Sequence, residues 1–137
     1  MYPEHLTIPM EKDLTDYGFQ GLKSAEAVSD LLNKKEGTAL LVVNSVCGCA
    51  AGNCRPGVKM AAQNAKLPTN MATVFAGVDK DAVNKAREFM MPYPASSPSI
   101  ALFKEGKLVH FLERHHIEGN TAETIAANLK MAFDKFC

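Results

Sequence analysis

The segment TALLVVNSV, residues 38–46, constrains the fold more than any other stretch. It is a continuous apolar run, partly β-branched, and reads as a strand buried on both faces rather than an alternating, half-exposed one. Strands of that kind lie inside sheets that carry helices on both sides. MATVFAG (71–77) repeats the pattern and is expected to be a second buried strand.

The intervening segments carry helical periodicity. Leu6, Met10, Leu14 and Tyr17 are spaced as one face of an N-terminal helix over 4–17, with Pro9 placed to kink or delay it. FQGLK is a short extended piece. Ser24 is a suitable N-cap for SAEAVSDLLNKK, with Glu26 in the first turn and Gly37 beyond its end. A further helix is expected over roughly 50–65. VDKDAVNKAREFM is another, with Asp79 as N-cap and Val83, Ala86 and Phe89 or Met90 on one face. MPYPASSP is a proline-rich loop. SIALF (99–103) and KLVHFL (107–112) flank Lys104-Glu105-Gly106, a hairpin signal. Asn120 or Thr121 can cap a final helix with Ile125, Leu129 and Phe133 as its apolar stripe. This order predicts an α/β layered fold with a central mixed sheet flanked by helices.

Composition narrows the function classes. At 137 residues the chain is expected to be a single domain, 1–137, able to close its own core. Lys plus Arg and Asp plus Glu both number 15, with no basic run, which argues against nucleic acid as a partner. No apolar run reaches membrane-span length, and MYPEHLTIPMEKDL has neither a positive n-region nor an apolar h-region. A cytoplasmic location is therefore expected, where structural disulfides are rare and clustered cysteines more often serve redox chemistry or metal.

That cluster comes directly after the buried strand: Cys47, Cys49 and Cys54 within VNSVCGCAAGNCRPG (43–57). A strand end leading into a helix start is where open α/β sheets place their sites. The unpaired N–H groups and dipole of a helix N-terminus stabilise a thiolate. A free cysteine titrates near 8.5, and such placement lowers it, in related redox motifs to roughly 7 or below. A drop of about 1.5 units corresponds to about 2 kcal/mol of preference for the thiolate. Cys47, at the junction, is the better attacking thiol, and Cys49 the resolving one. Two extended backbone steps span about 7 Å, at the upper limit of disulfide geometry, so the chain is expected to bend at Gly48. A bridge in so small a ring should be strained and oxidising.

Other readings stand beside this one. Cys47, Cys49 and Cys54, with Cys137 or a histidine, could form a zinc or iron–sulfur site, although structural zinc sites favour paired C-x2-C knuckles. Cys54 is a third exchanging thiol, a partner for oxidised Cys49, or a small buried side chain. Cys137 reads as an incidental free thiol.

The second half of the site comes from the hairpin. Pro98 precedes a strand, and the Ser97–Pro98 bond is a candidate for the cis form. The hairpin returns Glu113-Arg114-His115-His116-Ile117-Glu118-Gly119 to the same sheet edge. If Pro98 borders the cysteines, Arg114 and His115 lie near them, and a cation there could hold a thiolate or an acidic thiol substrate. Metal binding by His115 and His116 is not expected, because adjacent histidines rarely face the same way.

SSPSIALFKEGKLVHF resembles the cis-proline strand and final hairpin of the thioredoxin fold. VNSVCGCAAGN with TVFAGVDKDAV, SPSIALFKEGKLVHF and ERHHIEG resembles the bacilliredoxin family, thioredoxin-like proteins with a CGC site in place of CxxC. The resemblance extends over nearly the whole chain, including the extra N-terminal helix. It implies a thiol–disulfide oxidoreductase without a resident cofactor or metal, which uses a low-molecular-weight thiol as co-substrate. Its clients would be S-thiolated proteins. Cys47 would attack the bacillithiol sulfur of a mixed disulfide, and Cys49 or a second small thiol would resolve the adduct. Weak disulfide isomerase activity would also fit. Cys54 departs from the family pattern, where a non-thiol residue such as alanine is expected.

Overall fold

A computed structural model describes residues 2–137. Among these residues twelve elements succeed one another: α1 (Glu4–Thr15), β1 (Gln20–Gly21), α2 (Ala25–Leu32), β2 (Thr38–Asn44), a π-helical turn (Ala50–Cys54), α3 (Arg55–Ala61), β3 (Asn70–Phe75), α4 (Lys80–Phe89), β4 (Ser99–Lys104), β5 (Lys107–Leu112), α5 (Arg114–Ile117) and α6 (Ala122–Phe136). The strands form one sheet in the order β1-β3-β2-β4-β5. β3 runs parallel to β1 and β2, whereas β4 runs antiparallel to β2 and β5, so the sheet is mixed.

All seven residues of β2 are buried, as the unbroken apolar run requires. Alternation sends Leu40 and Val42 to one face, where they meet Leu14 of α1, Val58 of α3 and Ile125, Leu129 and Phe133 of α6. Ala39, Leu41 and Val43 point to the other, against Val28, Leu31 and Leu32 of α2 and Ala82, Val83 and Ala86 of α4. Each such leucine or valine contributes about 1.5–3 kcal/mol through burial.

Local signals account for the element ends. Ser24 Oγ accepts from Ala27 N at 3.1 Å and Thr121 Oγ1 from Thr124 N at 3.1 Å, so both caps are as expected. The hairpin turns through Glu105 (φ 52°) and Gly106 (φ 81°), two successive left-handed residues whose twist suits a two-residue connection.

Several expectations about the helices need correction. α1 continues through Pro9, which therefore does not delay it, and of its supposed stripe only Leu14 is fully buried, since Leu6 and Tyr17 are exposed. Thr7 and Leu14, two turns apart, are the buried residues that seat this helix. α2 stops at Leu32, short of the two lysines, and α3 at Ala61. Asp79 occupies the N-cap position of α4 without capping it. Its carboxylate turns back to accept from Phe75 N at 3.1 Å and to pair with Lys23 at 3.5 Å. The proline-rich loop holds a cis Met91–Pro92 bond as well as the expected cis Ser97–Pro98 bond.

α3 and α6 approach closely at Gly57, where a Cβ would stand 2.8 Å from Ile125 Cγ2 and 3.3 Å from the Ala122 carbonyl oxygen. The backbone oxygen cannot yield without moving α6. Gly57→Ala should therefore cost about 1–3 kcal/mol despite alanine's higher helix propensity, as read by denaturant unfolding.

Candidate active site

β2 leaves the sheet at Asn44, and the chain becomes helical again at Gly48. Cys47 sits between. Its N–H donates to Ser45 Oγ at 3.2 Å, and its carbonyl accepts from Ala50 N at 2.9 Å, opening the helix. Cys47 and Cys49 are both partly exposed, with their Sγ atoms 2.6 Å apart, and Cys49 N donates to Cys47 Sγ at 3.4 Å. The bend between them needs no glycine. Gly48 has helical backbone, and a Cβ there would meet nothing within 4 Å. The first helical turn does the bending that extended geometry could not, and any residue can adopt it.

The hairpin register delivers the second half. Ile100 pairs with Leu112, so the chain after β5 returns beside Pro98, which is buried. Arg114 then spans both parts of the site. Its Nη2 donates to Cys47 Sγ at 3.2 Å, its Nη1 to the Ser97 carbonyl at 3.4 Å, and its backbone N–H to Ser96 Oγ at 3.4 Å. Glu118 orients the guanidinium through Nε at 2.9 Å. His115 is placed differently from the expectation. Its side chain is 70% exposed, and its neighbours are the Glu113 carboxylate and the His116 ring rather than either thiol.

These contacts divide the two thiols. Hydrogen bonds from the Cys49 side chain and backbone hold the Cys47 thiol below the usual range, and the Arg114 charge adds to this. Burial pushes Cys49 up, and the negative Cys47 sulfur beside it pushes further. The two shifts are opposed, so the pair favours the thiolate at Cys47 over the thiolate at Cys49. Oxidation to a disulfide needs a further approach to about 2.05 Å.

Cys54 is fully buried at the end of the π-helical turn, packed with Leu14, Val58 and Ile125, and burial pushes its thiol up to about 12. A thiol so protonated and so enclosed is a small core side chain in this state. The turn itself is one residue wider than an α-helical turn, a form often found at functional sites. Cys137 is exposed at the chain end. Cys47, Cys49 and Cys54 do not converge into a metal cage. Among the described residues, the one group of three His, Cys, Asp or Glu donors within 4.8 Å of one another is Glu113, His115 and His116. Here the two adjacent histidines do face each other, with ring centroids 4.0 Å apart, contrary to expectation. The donor set nonetheless suits a metal poorly. His116 Nδ1 accepts from Glu113 N at 3.0 Å, which puts the proton of the neutral ring on Nε2 and leaves that atom without a lone pair.

A cysteine pair at the end of a central strand, opposite a cis-proline, is the arrangement of a thiol redox centre. The family model described as "Disulphide isomerase" matches residues 2–137. A bacilliredoxin from Cytophaga hutchinsonii is 58% identical over 98% of this chain and 99% of its own length. The chain belongs to the bacilliredoxin family. A bacilliredoxin from Bacillus cereus is 49% identical, covering 99% of this chain and 95% of that one. The fold extends further than the family. Oxidized mitochondrial thioredoxin 3 from Saccharomyces cerevisiae aligns with a TM-score of 0.57 at 14% identity, over 87% of this chain and 97% of that one. Reduced Schistosoma mansoni thioredoxin pre-protein aligns with a TM-score of 0.58 at 15% identity, over 87% and 98%. The bacilliredoxin fold is accordingly thioredoxin-like, with an N-terminal helix, and the chain is a thiol–disulfide oxidoreductase.

Sequence reasoning missed the polar floor of this site: Asn44, Ser45, Ser96, Glu118 and, above all, the buried Arg55. The available signal was an arginine set among alanine, glycine and proline where a helix was expected to bury its face.

Alkylation of Cys47 against pH should give a midpoint below that of an ordinary thiol. Arg114→Gln, or added salt, should move it upward, since an exposed guanidinium is readily screened. Cys49→Ala should move it further, because Cys49 makes the larger contribution. A midpoint unchanged in both variants would contradict the assignment. Gly48→Ala should leave the fold intact and raise stability by about 0.5–1 kcal/mol, measured by thermal unfolding.

Proposed function

We propose that this chain removes a low-molecular-weight thiol, bacillithiol in a host that makes it, from mixed disulfides on client proteins. The observation that carries this reading is the asymmetry of the CGC pair: Cys47 is drawn toward the thiolate by Cys49 hydrogen bonds and the Arg114 guanidinium, while Cys49, within contact, is pushed toward the thiol by burial.

Those positions fit the following cycle. The Cys47 thiolate attacks the small-thiol sulfur of the mixed disulfide in line with its S–S bond. The Cys47–S bond forms, the client's sulfur leaves as a thiolate and takes a proton, and the client is reduced. Cys49 then gives up its proton and attacks Cys47 Sγ. The small thiol departs, and Cys47–Cys49 is left as a disulfide. Alternatively, a second molecule of the small thiol attacks the adduct sulfur, forms the symmetric small-molecule disulfide and returns Cys47 as thiolate. In the first route two electrons must be restored by a dithiol or thiol reductant; in the second the small thiol supplies them. Arg114 has charge suited to an acidic small thiol, and the Ser97 carbonyl before cis-Pro98 lies beside the same guanidinium. No resident cofactor or metal has a role in this scheme. No described helix is long and apolar enough to cross a membrane, and thiol chemistry of this kind fits the cytoplasm. Nucleic acid and membranes are not partners in this reading.

A second reading, direct exchange on protein disulfides, draws on the family description as a disulphide isomerase. The two share the nucleophile and differ in substrate.

Intact-mass measurement after incubation with an S-thiolated client separates the steps. Cys47→Ala should abolish transfer. Cys49→Ala should take up one small thiol on Cys47 and hold it until free thiol is added, whereas the unmodified chain should pass on to the internal disulfide. Transfer retained in Cys47→Ala would sink the proposal, and turnover on scrambled protein disulfides without any small thiol would favour the second reading.

A further inference from the structure

The α1-facing side of the site contains a charge the catalytic scheme does not use. Arg55, the first residue of α3, is 5% exposed and folds back under the end of β2. Its Nη1 donates to Asn44 Oδ1 and to the Ser45 carbonyl, both at 3.0 Å. Its Nε faces Asp13 Oδ2 of α1 at 3.4 Å, and Asp13 Oδ1 also accepts from Lys59 at 2.6 Å. A buried guanidinium without such partners would cost several kcal/mol, so its presence here calls for a reason.

The reason lies in how β2 ends. Ser45 is buried but has left the sheet, so its carbonyl has no ladder partner and must find a donor. Arg55 supplies it. The same guanidinium orders the Asn44 amide, whose Oδ1 also accepts from Ser45 N at 2.9 Å, while its Nδ2 donates to the Met10 carbonyl at 3.1 Å. Ser45 is thereby fixed through both its backbone groups. Its Oγ is the acceptor for the Cys47 N–H, at 3.2 Å.

We propose that Arg55, paired with Asp13 of the N-terminal helix, is a positioning residue that fixes the Ser45–Cys47 turn and so holds the Cys47 sulfur against Arg114. Arg55 touches neither thiol and acts through Ser45. The additional helix α1 acquires a role in this arrangement: it carries the carboxylate and the Met10 carbonyl that complete the clamp. The inference rests on the reading of Cys47 as the nucleophile.

The test is the pH profile of Cys47 alkylation, with the melting temperature read in parallel. Arg55→Met removes the donors while keeping an unbranched, apolar side chain. It should slow Cys47 alkylation at neutral pH by about tenfold, within the one- to two-decade effect of small misplacements at a reacting centre. The midpoint should shift upward, toward that of an ordinary thiol. Arg55→Lys retains the charge but not the planar group that meets both oxygens through Nη1 while its Nε faces Asp13, and should recover stability more than reactivity. Asp13→Asn alters a partly exposed side chain that the fold can tolerate; it should shift the midpoint in the same direction by a smaller amount, and it decides the matter if Arg55→Met does not fold. A purely structural role would lower the melting temperature and leave the midpoint unmoved. An unmoved midpoint in folded Arg55→Met, or in Asp13→Asn where Arg55→Met is unfolded, overturns the proposal. Because alkylation requires no client, this result stands apart from the Cys47→Ala transfer assay, whose failure would remove the nucleophile assignment instead.

Discussion

Because every residue of β2 is buried, the chain can neither expose nor leave unpaired a polar group until the strand has ended. That constraint shapes both faces of the sheet and the turn beyond it. Leu40 and Val42 commit one face to α1, α3 and α6, and Leu41 and Val43 commit the other to α2 and α4. The first polar side chain after the apolar run, Asn44, is reached where neighbouring helices can still satisfy it, through Met10 and Arg55. Three residues later the backbone has turned into a helix start, with Cys47 at the junction.

The chemistry grows from a difference between two nearly adjacent residues of one type. Cys47 and Cys49 are separated by a single glycine, yet one collects hydrogen bonds and a cation while the other collects burial and a negative neighbour. A symmetric environment would leave the thiols competing for the same proton and the same substrate. In the proposed cycle the asymmetry instead orders them in time. Cys54 shows the opposite extreme five positions along, where complete enclosure leaves a thiol too weakly acidic to join the exchange.

Much of this was legible in the residues alone, for identifiable reasons. The buried strands, the Ser24 and Thr121 caps, the stripe of α6 and the Glu105-Gly106 turn depend on short-range rules that the chain states openly. Arg114 could be placed near Cys47 because a hairpin has a fixed return address. What stayed hidden depends on side-chain direction. His115 is next to Arg114 in sequence but points to Glu113 and His116, and α1 buries Thr7 where Leu6 was the obvious choice. Gly48 was credited with a bend that helical geometry supplies without it. The Asp13–Arg55 pair links residues far apart in sequence through one ion pair, and no periodicity announces such a contact.

Arg114 reaches Cys47 across 67 residues of sequence. The hairpin must close, and the Ser96–Ser97–Pro98 segment must meet the end of β2, before that cation arrives. A growing chain on the ribosome exposes its CGC segment long before residue 114 has been made. During that interval it carries cysteines without their guanidinium partner. The cation's share of the Cys47 environment is therefore assembled late, from a part of the chain made well after the thiol it serves.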